Sequence, residues 1–475
     1  MSVVTGLGFL VMVARWLEPS KFGLWEFILD LVTFSSYPVS VLSFWVTRDV
    51  ARQRMVGKTA IFVAMAMSGG GIAIYLILGM LTYSRVATSV APFLLAIILV
   101  PASYWNQISS SIVAGYRPAA AGSSLLVSEV CKLLSAYPLL FVFKAGISGV
   151  IIALLVAYLA QSVVATYATR GASAGELRLS EARRWLGAAW LPAMSILPYF
   201  VGIADTFVAS LAFGTALTGY YQAAFSVASI VGYSFYLSSA LYPSLLAGGR
   251  EELTSVTMDL SMLFGIPMAV GAAVLAPSIL FLFAPGYVVA SLGLVILSFS
   301  LLFTTVSLIL DQTLMGREKV DLETGGGRGR YIRSDLFFVA TVNLVYSVGY
   351  NALMYLSVLF ANSSGLSTSY TVAAWAGAQL AATLAIAGVK AARTRKSVRF
   401  FPARRVGRYA VTALAMGVLL YFLSGFLLPT DLGTLAFGFR LLGVVAVGAG
   451  FYFGALFATD GKFRSMALLL LTRSA

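Results

Sequence analysis

The chain has 475 residues, of which 60% are apolar and 11% charged, against roughly 45–50% and 25% in soluble globular chains. With a mean hydropathy of +0.91, that much apolar surface exceeds what one water-facing core can hide. No polar stretch is long enough to fold as a soluble catalytic domain. A net charge of +14 reads here as basic loops facing anionic lipid, not as a nucleic-acid signal. Cys131 is the single cysteine and histidine is absent, which removes disulfides, His-based metal sites, catalytic triads and imidazole relays.

A helix needs roughly 20 apolar residues to cross ~30 Å of hydrocarbon. In chain order, runs of that kind fall near 2–17, 22–46, 59–82, 90–113, 123–143, 147–169, 186–211 and 219–246. They continue near 255–284, 287–312, 336–361, 369–389, 409–428 and 433–458. The pattern predicts an all-α polytopic membrane protein with about 14 transmembrane helices. The first run is short, ending at Arg15, and lacks the charged start and cleavage site of a signal peptide. Lys462 to Ala475 reads as an interfacial tail helix.

Basic residues orient the chain. All but six of the 32 Lys and Arg lie in the loops after even-numbered spans or in the tail. Examples are Arg48, Arg52, Arg54 and Lys58, and the run from Lys390 to Arg408. By the positive-inside rule both termini are cytoplasmic, in a multi-pass protein of the cell membrane.

The second and eighth spans repeat each other at an offset of 196. Gly23-Leu24-Trp25-Glu26 opens one and Gly219-Tyr220-Tyr221-Gln222 the other. The polar stripe Glu26, Asp30, Thr33, Tyr37, Ser40 meets Gln222, Ser226, Ser229, Tyr233, Tyr236 at the same offset. Six spans separate the copies, so both cross the membrane in one direction, as in parallel-repeat transporters. The expected organisation is two six-helix lobes, 1–184 and 185–391, with two additional helices and a cytoplasmic tail in 392–475. Polar stripes on matching helices would line a cavity between such halves.

Charges inside spans are functional candidates because insertion costs roughly 2.5–3.5 kcal/mol. Glu26 and Asp30 share one helix face and repel unless one is protonated, bound to a cation or met by a base; Arg15, across the short external loop, is the nearest candidate partner. Glu129 and Lys132 are spaced to pair across one turn, so a structural role competes with contact to cargo. Asp205 stands alone in the outer half of the seventh span, beside Thr206. Gln222 and Tyr233 complete the cavity candidates, with Asn106, Gln107, Asn343 and Asn351 ranked lower. Asp259 and Asp311 fall near span ends, where water is expected to reach them. No metal-ligand cluster or cofactor motif is present, and Gly325 to Arg330 lacks the Lys-Ser/Thr of a phosphate loop.

The segment Ala14-Arg15-Trp16-Leu17-Glu18-Pro19-Ser20-Lys21-Phe22-Gly23 resembles the opening of Wzx-type polysaccharide-biosynthesis flippases. Asp205 through Ala223 resembles that family's "D…G…G-x-Y-x-x-A" stretch, and Phe283-Ala284-Pro285-Gly286-Tyr287 is a third likeness. Arg15, Gly23 and Asp205 match positions in those motifs. Helix count and repeat fit the wider MOP superfamily, which also holds drug exporters and peptidoglycan lipid flippases. The resemblance implies transfer of a lipid-linked oligosaccharide to the outer leaflet by alternating access, with membrane lipids as partners. Few intramembrane bases are available for a diphosphate, so recognition at Arg-rich cytoplasmic mouths such as Arg48 and Arg117 is the alternative. Glu26 and Asp30 would equally suit coupling to a proton or sodium ion, or a cationic drug, and so a multidrug exporter. A glycan polymerase or glycosyltransferase would need a sizeable loop that the sequence lacks.

Overall fold

The computed structural model describes residues 2–86, 89–117, 119–172, 175–238, 241, 245, 252–318, 332–395, 402–429, 433–461 and 463–465. Among these residues every regular element is helical. The Gly325–Arg330 connection, residues 466–475 of the expected tail helix and most of 239–251 lie outside them. Among the described residues eleven helices are long and apolar enough to cross a membrane, or up to twelve if a pair bent by 53° is one span. Each matches one of the fourteen expected runs. The first run gives a 15-residue helix, about 22 Å long at 1.5 Å per residue and too short to span. The eighth gives an 18-residue helix whose Thr, Gln and Ser lower its hydropathy.

The chain forms two compact units, residues 1–222 and 223–475. Unit 1 contains α1 (Ser2–Trp16), α2 (Pro19–Ser35), α3 (Tyr37–Ala51), α4 (Gly57–Val86), α5 (Ala91–Ala96), α6 (Leu99–Tyr116) and α7 (Ala119–Tyr137). It continues with α8 (Gly146–Ala168), α9 (Leu179–Gly187), α10 (Trp190–Gly202), α11 (Ala204–Phe213) and the first residues of α12 (Thr215–Gly232). Helix α6 sits centrally against α3, α4 and α8, and α2 packs on α4 and α11.

The bent pair is α2–α3. Pro38 cannot donate to the carbonyl of Phe34 and its ring crowds that turn, so the helix breaks at Ser36. Neighbouring side chains re-satisfy the break, as a membrane interior requires. Tyr104 donates to the Ser35 carbonyl at 2.8 Å, and the Ser36 hydroxyl reaches Val32 O at 2.9 Å. The bend is thereby held by α6, and it tilts the polar stripe of α2–α3 toward α10 and α11.

The repeat-related glycines meet in space. A Cβ built on Gly23 would strike the Thr215 carbonyl, and one built on Gly219 would strike the Pro19 carbonyl. Pro19 and Thr215 are themselves separated by 196, so the contact is reciprocal, as a local two-fold axis between the two helix starts requires. Only glycine lets the backbones come this close. Gly214, at φ +93°, makes the preceding turn from α11 into α12 in a conformation that favours glycine.

Unit 2 contains α13 (Glu252–Val274), α14 (Ala276–Phe283), α15 (Ser291–Arg317), α16 (Asp335–Ser363), α17 (Thr368–Arg393), α18 (Ala403–Leu427) and α19 (Thr434–Thr459). The pair α15 and α17 forms its core, with α16 laid against α17. Helices α18 and α19 belong to this unit: Asp259 on α13 takes Arg405 at 2.7 Å and Tyr409 at 3.0 Å, and Tyr452 donates to Leu263 O at 2.9 Å.

Candidate functional site

The stripe of α2–α3 faces α10 and α11 across an aromatic layer. Phe27 stacks on Phe207 with ring centroids 5.0 Å apart, and Tyr37 meets Phe200 edge-on at 4.8 Å. Rings of this size bury large apolar area and fix the spacing of the helices that carry them. Above the layer, Asp30 accepts a hydrogen bond from the Thr206 hydroxyl. Tyr37 donates to the Ala193 carbonyl at 2.9 Å, and Gln107 donates to Ser40 at 2.8 Å. The stripe is thus integrated into unit 1 by hydrogen bonds at three of its five positions.

Asp205 is buried and is not the isolated group the sequence suggests. Its Oδ1 accepts the backbone N–H of Thr206 at 2.8 Å, and its charge acts on Asp30, as does that of Glu26. Three carboxylates therefore share one neighbourhood, with the Thr206 hydroxyl donating to one of them. Chemically, this arrangement attracts a proton or a cation. Among the described residues no three His, Cys, Asp or Glu are placed to hold a metal ion.

The remaining predicted residues lie elsewhere. Arg15 is exposed in the last turn of α1. Glu129 and Lys132 pair with each other on α7 at 2.7 Å, and Lys132 also lies over the Phe9 ring at 4.9 Å. Phe9 belongs to α1, so this pair helps seat the short first helix. The second Glu129 oxygen is buried without a hydrogen bond. Gln222 is half-buried on α12, and Tyr233 is stacked on Tyr236 with centroids 5.7 Å apart.

Sequence reasoning missed a network in unit 2. Lys390, expected in a basic loop, lies in the last turns of α17 and is 1% exposed; Asp311, expected to meet water, is 4% exposed. The Lys390 ammonium donates to Ser307 Oγ at 2.8 Å, Asp311 Oδ2 at 2.7 Å and Asn343 Oδ1 at 2.8 Å. Asn343 in turn donates to the same Asp311 oxygen at 3.1 Å. All three ammonium protons are satisfied by α15 and α16, so this carboxylate carries a tethered cation. The only sequence signal was Ser307 and Asp311 at helical i,i+4 spacing, which points two polar groups to one side.

A second missed cluster joins α3 to α9. Buried Asp49 accepts from the Arg184 guanidinium and from the Trp185 indole at 2.8 Å, while Arg184 also meets Glu181 at 2.7 Å. Beside it opens a cavity of about 290 Å³ lined by Trp45, Arg48, Arg52, Arg184 and Trp185.

No family model matches the chain, and no curated protein matches it in sequence. Solved structures do match it in fold. Lipid II flippase MurJ, in an inward closed conformation, superposes with a TM-score of 0.65 at 14% identity, covering 96% of this chain and 97% of its own. An inward-facing multidrug resistance MATE family transporter of the MOP superfamily gives 0.58 at 13% identity, covering 84% of this chain and 96% of its own. The Vibrio cholerae MATE transporter VcmN gives 0.51 at 16% identity, covering 84% and 94%.

Proposed function

Taking as premise that the chain has the fold of the MOP superfamily transporters, we propose that it is a membrane transporter that flips a lipid-linked oligosaccharide between leaflets by alternating access. The observation that carries this reading is coverage. The lipid II flippase is matched from end to end, including a length of chain that the 84% matches to MATE transporters leave out. The motif likenesses at Arg15, Gly23 and Asp205 point to the same cargo class. The basic asymmetry of the loops supports a cell-membrane protein with cytoplasmic termini, moving the glycan outward. The polar glycan would pass along polar helix faces while the lipid tail stays in the bilayer. A transporter needs no catalytic residues, and none is assigned.

Within this reading, Glu26, Asp30 and Asp205 are the site where a coupling cation, a proton rather than a metal ion, would act, since three acidic groups share one neighbourhood without, among the described residues, the spacing of a metal site. The same three residues favour a second reading, a cation-coupled exporter of small molecules. Native mass spectrometry of the purified full chain separates the two. Retention of an added lipid-linked oligosaccharide as a single-copy mass shift supports the flippase. Retention of a cationic dye in its place overturns it.

A further inference from the structure

The cavity between α3 and α9 contains more cationic donors than its acidic neighbours consume. Asp49 lines it, but both its hydrogen bonds go to the wall: Arg184 and Trp185 share its Oδ2, with Arg54 3.8 Å from its Oδ1. This carboxylate therefore orders the wall and leaves little negative charge facing inward. Arg48, in the last turn of α3, and Arg52, the residue just past the helix end, also line the cavity, and both are exposed. Among the described residues neither makes an ion pair; the Arg48 guanidinium lies 4.3 Å over the Phe44 ring. Trp45, a third lining residue, has a buried indole N–H with no hydrogen-bond partner.

Two guanidinium groups without a carboxylate partner leave the mouth of the cavity cationic, and guanidinium groups match phosphate oxygens in pairs. An adjacent N–H donor suits a third oxygen. At about 290 Å³ the cavity sits at the lower end of the ~300–1,000 Å³ of small-molecule pockets. That volume takes a headgroup phosphate or diphosphate and excludes an oligosaccharide.

We infer that Trp45, Arg48 and Arg52 form a binding site for the phosphate group of a membrane-borne anion, at the end of unit 1 that the loop charges predict to be cytoplasmic. Arg184 and Trp185, fixed by Asp49, are its wall. Two sources share this chemistry, an anionic phospholipid of the adjoining leaflet and a lipid diphosphate. The site does not depend on the flippase reading. Phosphate binding without lipid movement would retain the site and remove that reading, and movement without phosphate binding here would do the reverse.

The test is equilibrium binding to the delipidated full chain, followed by tryptophan fluorescence, with inorganic pyrophosphate as the probe. The wild type should bind saturably. Arg48→Gln and Arg52→Gln should each weaken binding by about tenfold or more, the loss expected for one charge-assisted contact. Arg52→Lys, which keeps the charge and loses the paired geometry, should also weaken it and guards against a variant that fails to fold. Arg170→Gln and Arg333→Gln, the same charge change outside the cavity, should leave binding unchanged. Competition identifies the source. Displacement by phosphatidylglycerol vesicles, with no effect from phosphatidylcholine, assigns a leaflet phospholipid. Displacement by a lipid diphosphate at concentrations where phosphatidylglycerol fails assigns that lipid. Absence of saturable binding, equal weakening by the control substitutions, or failure of both lipids to compete overturns the proposal.

Discussion

Asp30 in unit 1 and Asp311 in unit 2 both sit on apolar helices, yet a threonine hydroxyl meets the first and a lysine ammonium the second. Around Asp30 two further carboxylates, Glu26 and Asp205, add to the same charge. Around Asp311 the charges match one to one, and Ser307 and Asn343 complete the coordination of Lys390. A buried ion that carries its own counter-ion is a structural fastener; a group of carboxylates is a place where an external cation or proton changes the energy. On this contrast the unit 2 network is a stabilising element, and coupling is the role proposed for the unit 1 cluster.

Breaking the fastener should have the largest effect. Lys390→Met leaves Asp311 buried and uncompensated, which typically costs about 3–5 kcal/mol, so thermal unfolding of the purified chain should fall sharply. The double variant Lys390→Met with Asp311→Leu should recover most of that loss. A double variant no more stable than the single one would show that the network does more than neutralise itself.

Next in size is the glycine crossing. Gly23→Val or Gly219→Val pushes a side chain into a facing backbone carbonyl and should cost about 3 kcal/mol, at the upper end of the usual overpacking range. Gly232→Val is a suitable control, since a Cβ there meets nothing within 4 Å. Thermal unfolding and yield of folded protein measure both. Equal tolerance at all three positions would contradict the close approach.

The unit 1 cluster should respond in transport and not in folding. Asp30→Asn keeps a partner for Thr206 and removes the charge, so unfolding should shift by less than ~1 kcal/mol. Lipid transfer should slow by about tenfold, equivalent to ~1.4 kcal/mol in the barrier. Wild-type transfer rates in this variant would remove Asp30 from the coupling site. The smallest effect is expected at Lys132→Ala, where a half-buried pair and one cation–π contact are lost, about 1 kcal/mol together. A double-mutant cycle with Glu129→Gln would isolate the pair from the Phe9 contact, and the single variant should slow transfer less than Asp30→Asn.

The sequence carried the helical architecture because membrane spans are selected by length and hydropathy, properties local to each run. It also carried the repeat, because Gly23 and Gly219 are required by a close approach and glycine at such a place leaves a trace at fixed offset. It did not carry the ion pairs that close over long separations. Lys390 lies 79 residues from Asp311, and Arg184 lies 135 from Asp49, so neither member announces the other. Position near a span end suggested contact with water for Asp311, whereas depth in the unit is set by neighbouring helices. Asp205 misled for a related reason: its companions Glu26 and Asp30 stand on α2, far back in the chain, and only the packing of α2 on α11 brings them together.

The most direct test of the account is transbilayer movement of a lipid-linked oligosaccharide in vesicles reconstituted with the purified chain, read by lectin access to the far leaflet. Run with and without an imposed proton or sodium gradient, wild type should move the lipid above protein-free vesicles and Asp30→Asn should lose the response to the gradient. No movement of the glycolipid, together with efflux of a cationic dye from the same preparation, would contradict the flippase account.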